Sequence, residues 1–134
     1  MRSMTQSVTI RALPDTVYAF VADPRNLPRW ASTFAPEIHP LDSDEWLVPS
    51  PAGEVAIRYD ADPHRRTVDF HMRPPQPAPG VEGLAASRIV PNGDHAEYVF
   101  TMFQFDGMPD QVWLGQLDEL PRELERLKRA IEAG

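Results

Sequence analysis

Residues 109–133 read PDQVWLGQLDELPRELERLKRAIEA, and within them Trp113, Leu117, Leu120, Leu124, Leu127 and Ile131 recur at intervals of 4, 3, 4, 3 and 4. That spacing gathers six large apolar side chains on one side of a helix. It predicts a single helix of about 23 residues opening after Pro109, long enough to cover a sheet. Asp110 sits where the helix N-terminus favours negative charge, and Arg126, Lys128 and Arg129 where the C-terminus favours positive charge. Pro121 falls inside the pattern and is expected to cost the bond to the carbonyl of Leu117 and to bend the helix there. Three heptads also suit a coiled coil, but a strand-rich stretch precedes these, so a helix lying on a sheet is the expectation.

Working back from the helix, the period changes to two. Candidate strands are Glu37–Leu41, Glu45–Val48, Gly53–Asp60, Arg65–Arg73, Val81–Val90 and Ala96–Phe105. The breaks between them carry turn residues: Asp42-Ser43-Asp44, Pro49-Ser50-Pro51, Asp62-Pro63-His64 and Pro91-Asn92-Gly93-Asp94. The run Pro74–Gly80 holds four prolines and reads as a stiff connector between two strands. At the other end, Val8 to Ala12 alternates as a first strand. Pro14 then suits the opening turn of a helix that carries Val17, Phe20 and Val21 on one face and stops at Asp23-Pro24. Pro24 to Trp30 holds a second helical turn. The order is strand, two short helices, six strands, one long helix.

Composition bounds what such a chain does. Its 134 residues form one domain, 1–134, large enough for a core and a cavity within it. With no cysteine, disulfides, thiolate nucleophiles, zinc fingers and iron–sulfur clusters are excluded. The net charge is −7 and the 13 basic residues are scattered, which argues against nucleic acid and against anionic membrane surfaces. No stretch has the length of apolar sequence that a membrane span needs. Met1-Arg2 is followed too soon by Arg11, Pro14 and Asp15 for a signal peptide, so a cytoplasmic location is expected. Twelve of the basic residues are arginine, as a GC-rich bacterial genome would supply.

The stretch Ile10–Trp30, IRALPDTVYAFVADPRNLPRW, adds a resemblance. A strand, a proline, an aromatic in the middle of the helix, an Asp-Pro break and a closing Trp resemble the opening of the START/polyketide cyclase-like (SRPBCC) superfamily. The turn at Asp62-Pro63, the Pro91-Asn92-Gly93 hairpin and the long C-terminal helix are similar too, so the likeness covers the whole chain. It implies an α+β helix-grip fold: a curved antiparallel sheet of about six or seven strands wrapped around the C-terminal helix. It further implies a cavity between sheet and helix for an apolar ligand. Activity does not follow, because the shared motif is structural.

The residues support that geometry independently. Val55, Ile57 and Tyr59 alternate along one strand and Val68, Phe70 and Met72 along the next, while Glu54, Arg58, Thr67, Asp69 and His71 take the opposite faces. Tyr98, Phe100 and Met102 alternate similarly, but Val99, Phe103 and Phe105 make that strand apolar on both sides. Its inward face stays open, and the second apolar face is either partly exposed or a homodimer surface.

No catalytic group is legible. His64 and His95 lie in polar turns. Asp69 and His71 share the wet face, where they form either a surface pair or, with the sheet inverted, an acid–base pair. His39 is either a polar point in the cavity or an edge-strand residue. Asp60, Asp62 and His64 have a spacing that a metal could use on a continuous strand, but Pro63 makes the stretch a turn; neither a metal nor another cofactor is expected. No serine sits in a nucleophile elbow and no glycine cluster cradles a phosphate. The rings Trp30, Phe34, Trp46, Tyr59, Phe70, Tyr98, Phe100 and Trp113, together with Leu117, are the candidate ligand-binding set, with the two tyrosine hydroxyls as polar points and Ala31–Pro36 as a lid. A small, mostly apolar ligand of aromatic or polyketide-like character is the first expectation for a partner. A cyclase or dehydratase-type enzyme that works mainly by positioning its substrate is the second. A homodimeric interaction protein is the third.

Overall fold

The computed structural model describes residues 1–75 and 82–134. Residues 76–81, which take in most of the proline-rich run and Val81, lie outside the described residues. The chain runs β1 (Ser3–Ile10), α1 (Pro14–Ala22), a 3-10 turn (Pro24–Asn26), α2 (Leu27–Trp30), β2 (His39–Pro40), β3 (Glu45–Ser50), β4 (Gly53–Asp62), β5 (Thr67–Arg73), β6 (Gly83–Asn92), β7 (His95–Phe103) and α3 (Asp110–Ala133). Seven strands form one curved antiparallel sheet in the order β1-β7-β6-β5-β4-β3-β2, with α3 gripped by it. This is the helix-grip α+β fold. No helix among the described residues is long and apolar enough to cross a membrane.

Turn chemistry sets the strand ends. Asp62 Oδ1 accepts from the backbone N–H of His64 at 2.9 Å and of Arg65 at 3.2 Å, and Arg66 takes a φ of 53°. The turn therefore consumes Arg65 and Arg66, and β5 begins at Thr67 rather than Arg65. Gly93, at φ 62°, closes the β6–β7 hairpin in a conformation that glycine adopts without a Cβ penalty. The edge strand β2 is only His39–Pro40, because Pro36 and Pro40 remove donors that a longer strand would need. The first strand starts five residues earlier than Val8, pairing Ser3–Ile10 with Phe103–Ala96. Its polar residues Ser3, Thr5, Ser7 and Thr9 face outward and carry no hydrophobic signal.

Register fixes the faces. Ile57 lies opposite Met72, Tyr59 opposite Phe70, Phe70 opposite Ala85, and Ile89 opposite Tyr98, so these residues share the inner face. Tyr98, Phe100 and Met102 point inward with them. Val99 faces outward between Ser7 and Arg88, next to the Thr5–Thr101 hydroxyl pair at 2.8 Å. Asp69 pairs with Asp60, and His71 with Arg58, on the outer face.

The helix α3 runs unbroken through Pro121 and buries Trp113, Leu120, Leu124, Leu127 and Ile131. Charge pairs fix its direction along β1. Arg2 Nη2 meets Asp110 Oδ1 at 2.6 Å at one end, and at the other the Arg11 backbone N–H donates to Glu132 Oε2 at 2.9 Å. Helix and strand therefore run side by side in the same sense. The short helices α1 and α2 close the end of the grip: Val17 and Val21 are buried, and the Asp23 side chain caps the 3-10 turn through the N–H of Arg25 at 3.0 Å.

Candidate functional site

A cavity of about 710 Å³ opens between the sheet and α3. Its deep wall is apolar: Phe70 and Phe100 from the sheet, Trp30 from α2, Leu120 from α3. It reaches the surface where exposed Pro51, Gly107 and Pro109 line it, between the β3–β4 turn and the loop that leads into α3.

Rings in this wall and just behind it make up one continuous network. Tyr59 meets Phe70 edge-on at 4.9 Å, Phe70 lies 6.1 Å from Phe100, and Trp30 stands edge-on to both Tyr98 at 6.1 Å and Phe100 at 6.4 Å. Of the candidate ligand-binding residues, the structure brings Trp30, Phe34, Phe70 and Phe100 onto the cavity wall. Tyr59 and Tyr98 stand behind it in the ring network, Trp113 is packed in the core, and Trp46 and Leu117 are half-buried against that core. Ala31, Thr33 and Phe34 place the segment after α2 beside the cavity.

Both tyrosine hydroxyls are buried without a hydrogen-bond partner among the described residues. Burial raises the proton affinity of each: Tyr59 gains further from nearby Tyr98, and Tyr98 from the Glu123 charge. Ser87 itself donates to the Val68 carbonyl at 2.6 Å, which satisfies a polar group on an otherwise apolar face.

The polar side of the cavity comes from a line that sequence reasoning missed. Gln116, Glu119 and Glu123 run along α3 beside the apolar stripe, three and then four residues apart, and all three line the cavity. The spacing was visible, but charged residues flanking a stripe read as solvated. Glu119 is held on two sides: the Thr33 hydroxyl donates to Oε1 at 2.8 Å and Arg126 Nη2 approaches it at 2.9 Å. These contacts, Thr33 foremost, keep its carboxyl below the usual range. Glu123 is the opposite case. Burial, and then the negative charge of Glu119, push its carboxyl up to about 7, while Arg126 pulls the other way. On the sheet side, Arg73 lines the cavity edge with its guanidinium forked onto Glu45 at 2.8 and 2.6 Å. One wall position depends on a missing side chain: a Cβ on Gly83 would lie 3.0 Å from the Phe105 ring, which lines the cavity.

Solved structures share this architecture. The di-domain ARO/CYC BexL from the BE-7585A biosynthetic pathway is 22% identical with TM-score 0.71, over 98% of this chain and 47% of that one. The aromatase/cyclase ZhuI from Streptomyces sp. R1128 is 18% identical with TM-score 0.70, over 98% and 93%. The Aha1 dimer from Colwellia psychrerythraea is 16% identical with TM-score 0.73, over 98% and 97%. Among curated proteins, mouse Plexin-B3 matches at 36% identity over 87 residues, taking in 59% of this chain and only 4% of its own length. The family model described as polyketide cyclase / dehydrase and lipid transport matches residues 1–132, from β1 through the last turn of α3. With the gripped helix, the ring-walled cavity and this match over nearly the whole sequence, the chain belongs to the polyketide cyclase / dehydrase and lipid transport family.

Proposed function

We propose that the protein binds a small, mostly apolar, ring-bearing molecule in the cavity between the sheet and α3. The observation that carries this reading is the cavity itself: about 710 Å³, faced by Trp30, Phe34, Phe70 and Phe100. That volume falls in the range of small-molecule sites, and apolar walls with a few polar groups are their usual make-up. Offset and edge-on rings present both faces and edges to a planar guest. The test is titration with N-phenylnaphthylamine, a neutral ring probe whose fluorescence rises on leaving water. Saturable binding that weakens in Phe100→Ala supports the reading, and the lack of any saturable signal overturns it. Native mass spectrometry of protein isolated from its own host then gives the mass of the natural ligand.

The second reading is a cyclase or dehydratase-type enzyme that acts mainly by positioning its substrate. The family description supports it. Recovering a supplied poly-β-keto chain unchanged from the cavity favours binding alone, and a faster appearance of cyclised product favours the enzyme.

A further inference from the structure

The charged side chains on the cavity wall are Glu54, Arg73, Glu119 and Glu123. Glu54 is exposed beside the β3–β4 turn. Arg73 is neutralised by its fork onto Glu45. Glu119 takes both neighbouring cations, Arg126 at 2.9 Å and Arg122 at 3.7 Å, and is further held by the Thr33 hydroxyl. Glu123 has no such partner: among the described residues no hydrogen bond or ion pair reaches its carboxyl, and Arg126, which is not a wall residue, has its contact with Glu119. Tyr98, facing it from β7, is a neutral phenol whose proton is held more tightly by burial. Glu123 is therefore a half-buried carboxyl on the cavity wall that, among the described residues, has no direct cation partner.

We propose that the ligand carries a basic nitrogen on its apolar body, and that its ammonium pairs with Glu123 at the α3 side of the cavity. This rests on the ligand-binding reading above. A carboxylate partly withdrawn from water loses some of the solvation that water would give it, and an opposite charge brought to it restores part of that loss. The raised proton affinity of Glu123 reports the same imbalance, since a proton is the simplest cation available to it. A ligand carboxylate meets the reverse situation, facing Glu119 and Glu123 together, so fatty-acid-like molecules are selected against. A neutral alcohol falls between the two. In this arrangement Glu123 is an anchor that sets ligand class.

Three probes with one ring system test it: naphthylmethylamine, naphthylmethanol and naphthoic acid, titrated calorimetrically into the intact chain at about pH 8, where an alkylammonium is still protonated and Glu123 is ionised. The expected order is amine, then alcohol about tenfold weaker, then acid weaker by a further tenfold or more. In Glu123→Gln the amine loses its advantage over the alcohol, and an unchanged near-ultraviolet circular dichroism spectrum shows that the variant keeps its packed fold. Equal binding of amine and alcohol to the unaltered protein, or an amine preference that survives in Glu123→Gln, overturns the proposal and leaves the ligand-binding reading intact. No binding of any of the three overturns both.

Discussion

The hydroxyl of Thr33, in the turn that follows α2, donates to Glu119 Oε1 on α3 at 2.8 Å, joining residues 86 positions apart across the cavity margin. A single bond thereby links the segment after α2 to the gripped helix. Thr33→Val keeps the shape and removes the donor. Because Thr33 is exposed and Glu119 keeps its contact with Arg126, the stability change should stay within about 1 kcal/mol. Exchange of a bound probe should instead quicken several-fold, read by stopped-flow fluorescence. Unchanged on- and off-rates would show that this segment does not control entry.

Glu123 makes stability depend on pH in a particular sense. Its folded-state value of about 7 lies above the ordinary 4.5, so between those values the folded chain holds a proton that the unfolded chain has lost. Stability is therefore highest below about 4.5 on this account, declines as pH rises towards 7, and stays lower above it. At about 1.4 kcal/mol per tenfold change in proton affinity, the full cost is roughly 3 kcal/mol. Glu123→Gln removes it. Urea midpoints should show the variant more stable at about pH 8 and level with the unaltered protein near pH 4. A variant less stable at both would mean that the carboxylate is solvated or paired.

Glu132 works in the opposite sense. The backbone N–H of Arg11 first, and then the Lys128 ammonium, bring its carboxyl down to about 2. Its contribution is present above the unfolded value of 4.5 and is lost as pH falls from there towards 2. Glu132→Gln should consequently lower stability at neutral pH and flatten the acid limb of the unfolding curve. Following that limb by far-ultraviolet circular dichroism in both proteins checks it; identical limbs would mean that the tie between the end of α3 and the turn after β1 carries no weight.

How much of this was legible in the sequence differs between fold and site. The period of Trp113–Ile131 and the alternation of Val55–Tyr59 and Val68–Met72 are local signals, and they gave the helix, the strands and the inner face directly. Local signals also failed locally: β1 begins with Ser3-Met4-Thr5-Gln6-Ser7, where Met4 is the one apolar residue and Gln6 interrupts the alternation, and β5 begins late because Arg66 belongs to a turn. The site was harder. Trp30 lines the cavity and Trp113 fills the core, yet no composition or spacing separates them, because the distinction lies in what stands opposite each ring once the sheet curves. Glu123 was hidden differently, since its neighbours Arg122 and Glu125 are exposed and only its angle on the helix turns it inward.

The pair Phe70 and Trp113 separates wall from core. Their burial is nearly equal, at 3% and 2% exposure, so burial alone predicts similar effects of truncation. Their surroundings differ. Phe70 has Tyr59 edge-on at 4.9 Å on one side and the cavity on another, whereas Trp113 is a core residue of α3 and does not line the cavity. A ring at a cavity wall already lacks neighbours where the cavity lies, so removing it forfeits fewer contacts. Trp113→Ala should cost roughly 3–5 kcal/mol, the usual loss for a packed ring, while the molecules that remain folded bind the probe as before. Phe70→Ala should cost clearly less and weaken probe binding about ten- to a hundredfold, or roughly 1–3 kcal/mol. Urea midpoints and probe titrations on both variants give the comparison. If Phe70→Ala destabilises as much as Trp113→Ala without a selective loss of binding, Phe70 is ordinary core and the ligand does not rest on the sheet.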